Sequence, residues 1–79
     1  MKAIRRMGTT PVERGDTTGM SGSPDLLELD DGSFAVIGVD ITDELGRRPL
    51  ADARCADNER IVRITRRTLT TAKNSIPDE

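Results

Sequence analysis

The chain has 79 residues, 34% hydrophobic and 33% charged, with net charge −2, one aromatic residue (Phe34), one cysteine (Cys55) and no histidine. That length holds one domain at most. A lone cysteine closes no internal disulfide, and without a Cys pair or a histidine a zinc site has no ligand set. No apolar run reaches the roughly 18 residues of a membrane span.

Charge is segregated along the chain. Residues 1–24 carry four basic and two acidic side chains, residues 25–59 three basic and ten acidic, and residues 60–79 five basic and two acidic. The acidic middle is expected to find its counter-charges in the basic last segment. The opening MKAIRRMGTTPV is basic but lacks the apolar core of a signal peptide, so a cytoplasmic location is the expectation.

Residues 1–24 are rich in Gly, Thr, Ser and charge, end in GDTTGMSGS and show no helical or strand period. They read as a flexible, disordered N-terminal tail. Met7 and Met20 are alternative first residues, which would make part of this tail foreign to the fold; a basic arm for an acidic partner is the functional alternative.

Order is expected over residues 25–76, a single small α+β domain. Asp31-Gly32 between two apolar runs signals a β-hairpin of Asp25–Leu29 and Phe34–Ile41. With those two residues as the loop, Leu27, Leu29, Phe34 and Val36 share one face. Leu26, Ala35, Ile37, Val39 and Ile41 share the other. Both faces are apolar, whereas a half-exposed antiparallel sheet alternates. DELGRRPLADARCADNE then reads as a long loop of about 17 residues, with a helical turn near Leu50 to Ala53. A third strand is placed at Arg60–Ile64. Thr65 is a candidate N-cap for a C-terminal helix over Arg66–Ser75, whose stripe is Leu69, Ala72 and Ile76.

One short helix covers one face of a three-stranded antiparallel sheet. The other face, represented by Leu26, Ile37, Val39 and Ile41, is therefore expected to bind a partner, most simply a second copy in a homodimer. Phe34 is placed in the core on the helix side. Arg60, Arg63, Arg66 and Arg67 gather at the start of the helix, where the macrodipole favours anions. They form a candidate anion site for a phosphate, a nucleic-acid backbone or an acidic protein. The structural alternative, which we weigh more heavily, pairs them with Asp40, Asp43 or Glu59. Net negative charge and a single aromatic leave no stacking platform for nucleic acid.

No catalytic constellation emerges. General acid–base work relies on histidine or a tuned carboxylate or lysine, and the carboxylates here fall in turns and strand ends. Cys55 has no histidine to raise its thiolate fraction and reads as a small apolar anchor for the long loop. The acidic positions do not fit a calcium loop, and Gly15, Gly19 and Gly22 match no phosphate-cradling pattern. Neither a cofactor nor a metal is implied.

From Asp25 onward the segment DLLELDDGSFAVIGVDIT, then ADARC, then ERIVRI with its arginine-rich turn and short helix, resembles a group of small uncharacterised actinobacterial proteins. In outline the chain is also similar to the BldB-type developmental regulators, although it lacks the aromatic residues usual in their terminal helix. The resemblance implies a regulatory accessory protein that self-associates, accompanies a helix-turn-helix regulator and has no catalytic motif.

Overall fold

The computed structural model of the chain describes residues 1–16 and 23–78. The fold is α+β, as expected. Its main sheet is three-stranded and antiparallel, with order β1-β2-β3: Ala3–Arg6, Asp25–Leu29 and Phe34–Ile37. A second, two-stranded sheet pairs β4 (Val39–Asp40) with β5 (Val62–Arg63). Among the described residues there are three short helices: α1 (Pro11–Arg14), α2 (Thr42–Leu45) and α3 (Arg66–Ala72). The last runs into a 3-10 turn at Lys73–Ser75.

Three expectations need correction. First, residues 3–14 are not a tail. Arg5 reaches Glu28 at 2.5 Å, and Arg6 grips Asp25 at 2.9 Å, so the acidic strand β2 takes its counter-charges from the N-terminal segment. Thr10-Pro11-Val12-Glu13 forms a capping box, with the Thr10 hydroxyl accepting from the Glu13 N–H and the Glu13 carboxylate from the Thr10 N–H. Gly15 closes the helix at φ 80°, a left-handed conformation in which an L side chain is strained. The rest of the expected tail, residues 17–22, lies outside the described residues.

Second, the third strand of the main sheet is β1 and not Arg60–Ile64. Of that stretch only Val62–Arg63 is strand, and it pairs with Val39–Asp40. The break lies at Gly38. A Cβ there would meet the Arg63 carbonyl at 2.5 Å, so glycine is required for β5 to cross so closely.

Third, the hairpin register differs by one residue. Leu29 N–H donates to the Ser33 carbonyl and Gly32 N–H to the Leu29 carbonyl, which makes Asp30-Asp31-Gly32 a three-residue loop with Gly32 at φ 88°. Asp31 Oδ1 accepts from both the N–H and the hydroxyl of Ser33 and fixes the turn. Leu26 now faces Val36, Leu27 faces Ala35 and Glu28 faces Phe34. A slip of one residue exchanges the faces of a whole strand. Leu26, Phe34 and Val36 therefore share one face; Asp25, Leu27, Ala35 and Ile37 share the other.

The C-terminal helix forms where expected, capped by Thr65, whose hydroxyl accepts from the Thr68 N–H at 3.2 Å. It packs on β2 and α1. Its inner residues Thr68 and Ala72, and Met7 beneath them, are each essentially inaccessible to water. Gly8 lets the chain pass under the helix: a Cβ there would lie 2.8 Å from the Thr71 carbonyl and 2.9 Å from the Ala72 Cα. The long loop is held by Arg47 and Cys55. Cys55 N–H donates to the Arg47 carbonyl at 2.7 Å, and Arg47 Nη1 returns to the Ala56 carbonyl at 2.5 Å. At Leu50–Ala53 the chain makes a reverse turn closed by an antiparallel bridge, with Ala53 N–H donating to the Leu50 carbonyl at 3.1 Å, in place of the helical turn expected there.

Candidate interaction surface

The four interface candidates do not form one face. Leu26 and Ile37 project from opposite sides of the main sheet, because Leu26 pairs with Val36 while Ile37 pairs with Asp25. Val39 belongs to the second sheet, and Ile41 follows it, its N–H donating to the Ile61 carbonyl at 2.8 Å. What the structure assembles instead is an apolar surface on the helix side. Met7, Leu26, Phe34 and Ile76 line a groove of about 110 Å³. Val36 continues it as the cross-strand neighbour of Leu26. Phe34 is in this neighbourhood, as expected, but it is 44% exposed and not in a core. A seven-residue helix packed on β2 leaves Phe34 and Val36 of β3 each nearly half exposed. The register could not have been chosen from the sequence, but the short length of the helix could have warned that one strand would stay open.

The arginine cluster is dispersed. Arg60 Nε sits 3.7 Å from Asp40 Oδ2, both well exposed, which is one of the expected pairings at a weak distance. Arg63 lies on β5, opposite Val39. Arg67 Nη1 donates to the Arg14 carbonyl at 2.8 Å. Arg66 is exposed at the first turn of α3. The anion at that helix start is supplied by the chain itself. Asp16 Oδ2 accepts from Thr65 Oγ1 at 3.0 Å and from Arg14 Nε at 2.8 Å. The Arg14 hydrogen bond, helped by Thr65 and the charge of Arg67, holds the Asp16 carboxyl below its ordinary pKa.

Arg14 is the residue that sequence reading missed. Its side chain is fully buried, its guanidinium donates to the Thr9 and Pro24 carbonyls and to Asp16, and it joins α1, the entry to β2 and the start of α3. The T-P-V-E capping box just before it was the available signal.

Chemistry is thinly provided. An open cleft of about 520 Å³ is lined by Pro49, Arg54, Cys55, Glu59, Arg60 and Ile61. The Cys55 thiol at its edge is buried and lies 3.6 Å from Arg47 Nη1, as a loop anchor would. Glu13, Asp31 and Asp40 have lowered pKa values, but each is lowered first by a hydrogen bond that shapes a cap or turn: from Thr10, Ser33 and Thr42 respectively. Among the described residues no three of His, Cys, Asp and Glu group to hold a metal ion, and no helix is long and apolar enough to cross a membrane.

No family model matches this chain, no curated protein aligns with it, and no solved structure matches it.

Proposed function

We propose that the protein is a non-catalytic regulatory or adaptor protein of the cytoplasm that works by self-association and by contact with another protein. One observation carries the proposal. Of the fifteen large apolar side chains between Asp25 and Ile76, none is buried and eight are exposed. The buried residues are instead Met7, Cys55 and Ala72, the prolines Pro11 and Pro24, and the polar Arg14, Asp25, Thr42 and Thr68. Folding of a single chain therefore leaves eight large apolar side chains about half in water, and where they adjoin, at Phe34, Val36 and Ile76 around the Leu26 groove, they form apolar surface of the kind that marks interaction sites. The simplest occupant is a second copy; a regulatory protein of the helix-turn-helix class is the further partner that the likeness to BldB-type regulators suggests.

The test is the molar mass by light scattering across a wide range of protein concentration. A dimer of the 8.6 kDa chain is expected, passing to monomer on dilution. A monodisperse monomer at every concentration, which also retains nothing on an affinity column carrying the native host's proteins, would defeat the proposal. Titration with labelled DNA at low salt checks the competing reading. Salt-sensitive binding that disappears when Arg60, Arg63 and Arg66 become Ala would make the protein a backbone binder instead.

A further inference from the structure

The two edges of the main sheet are built differently. β1 carries a bulge between Ala3 and Arg5 and two arginines, Arg5 and Arg6. A bulge and long cations are the usual devices that keep an edge strand from pairing with another chain. β3 has none of them. Its sequence is Phe-Ala-Val-Ile, with no charge, no proline and no bulge, and Phe34, Val36 and Ile37 are each nearly half exposed.

Its backbone is also free on the outer side. Leu29–Ser33 is a hydrogen-bonded pair, so along an antiparallel ladder Leu27–Ala35 and Asp25–Ile37 are hydrogen-bonded too. The N–H and C=O groups of Phe34 and Val36 then point away from β2. Among the described residues no strand or side chain meets them.

From this we propose that β3 is a self-pairing edge: two copies join β3 to β3 antiparallel about a two-fold axis and form one continuous six-stranded sheet. This rests on the self-association reading and assigns its surface and register. Only Phe34 and Val36 offer outward groups, so Phe34 of one copy is hydrogen-bonded opposite Val36 of the other, and Ala35 faces Ala35 across the axis. The pairing places each Phe34 beside a Val36 on the helix side, an aromatic–β-branched cross-strand pair at the mouth of the Leu26–Ile76 groove.

Charge agrees with this register. Ser33 of one copy then lies opposite Ile37 of the other, which brings the turn of the first copy toward Gly38 of the second, where Arg63 of β5 passes closely. The acidic turn at Asp30 and Asp31 is thus brought toward Arg63 of the other copy at both ends of the junction. Arg63 forms no ion pair among the described residues, which leaves it available.

The decisive experiment combines mass and cross-linking on the full chain. Val36→Lys puts a charge on the outer strand of a surface that is already half exposed. It should keep the wild-type circular dichroism and bring the mass from twice 8.6 kDa to the single chain. Ala35→Cys in a Cys55→Ser background should form an interchain disulfide on mild oxidation. A non-hydrogen-bonded antiparallel pair has Cα atoms about 4.5 Å apart, within disulfide range. Ile37→Cys in the same background should not, because it lies opposite Ser33. Should Val36→Lys fail to fold, the cross-linking pair alone decides. A wild-type dimer that Val36→Lys leaves intact, with no Ala35→Cys cross-link, overturns the β3 assignment while leaving self-association standing. A wild type that is monomeric at all concentrations overturns both.

Discussion

Arg14→Met is the sharpest probe of the N-terminal segment. Methionine keeps the helix propensity and the apolar stem of arginine but removes the guanidinium. Two backbone carbonyls, those of Thr9 and Pro24, then lose a charged donor, and Arg14 is almost fully buried, so water cannot replace it without opening the structure. At about 1.5 kcal/mol for each charge-assisted hydrogen bond, the low end of the usual range, the loss is about 3 kcal/mol. Nothing is added for Asp16, which keeps the Thr65 hydroxyl and can take up water. A 79-residue chain has roughly 4–12 kcal/mol in total at about 0.05–0.15 per residue. The variant should therefore lose a quarter or more of its stability. Urea unfolding followed by far-ultraviolet circular dichroism reads this directly. With a slope near ~1 kcal/mol per molar, the midpoint should fall by about 3 M. Protein concentration must be held constant, since association adds to apparent stability. A midpoint within about 0.5 M of wild type at that slope would refute the reasoning, because residues 1–16 would then contribute little to the fold.

Deleting residues 1–16 should leave an unfolded or aggregating chain: β2 loses its neighbour, the core loses Met7, and Asp25 and Glu28 lose their arginines. A truncated chain with native circular dichroism would contradict this. Gly8→Ala and Gly15→Ala separate crowding from backbone conformation. Both glycines have φ near 80°, but only Gly8 has backbone atoms within 3.0 Å of the added Cβ. The Gly15 variant should lose about 1–2 kcal/mol, from the left-handed conformation alone. The Gly8 variant should lose clearly more, and equal losses would argue against the close passage under α3. Acid should destabilise the fold in a defined direction. Glu13, Asp16, Asp31 and Asp40 all have folded pKa values below those of the unfolded chain. Their stabilisation is complete above the ordinary carboxylate range and is lost as pH falls through the lowered folded values. Urea midpoints measured from pH 6 downward should decline, and Asp16→Asn should flatten the decline; a midpoint that rises on acidification would reverse the sign and exclude the mechanism.

From Asp25 onward the features with local signals were legible. Thr65 caps the helix, Asp31-Gly32 marks a hairpin, and Cys55 anchors the loop; each follows from a few adjacent residues. The hairpin register was not legible, because Asp30-Asp31-Gly32 satisfies two turns equally. Asp-Gly suits a two-residue loop, and the same glycine suits the final, left-handed position of a three-residue loop. The Asp31–Ser33 hydrogen bonds select the second. That single residue undid the grouping of Leu26 with Ile37. The N-terminal strand was hidden by composition. Ala-Ile-Arg-Arg looks like a basic arm until β2 supplies Glu28 and Asp25 opposite it, and those partners lie about twenty residues away. Long-range ion pairing of this kind leaves no local period in the sequence.

The distribution of polarity gives the association argument its strength. In most folded chains the apolar side chains form the interior and buried polar groups need individual explanation. Here the buried arginine, aspartate and threonines are explained: Arg14 and Asp25 by ion pairs, Thr42 by the Ile61 N–H at 2.7 Å, and Thr68 by the Thr65 hydroxyl at 2.8 Å. Hydrogen bonds of that sort define which segments meet, but each adds only about 1 kcal/mol net. A further hydrophobic contribution is still available on Phe34, Val36, Ile37 and Ile76, each about half exposed when the single chain has folded. On the self-association proposal, folding and pairing are two stages of one burial process, and dilution should lower the thermal midpoint as well as the mass. A thermal midpoint that did not change with concentration, in a protein shown to dimerise, would mean that the dimer contact adds nothing to the fold and that the exposed apolar surface lies elsewhere than in the contact.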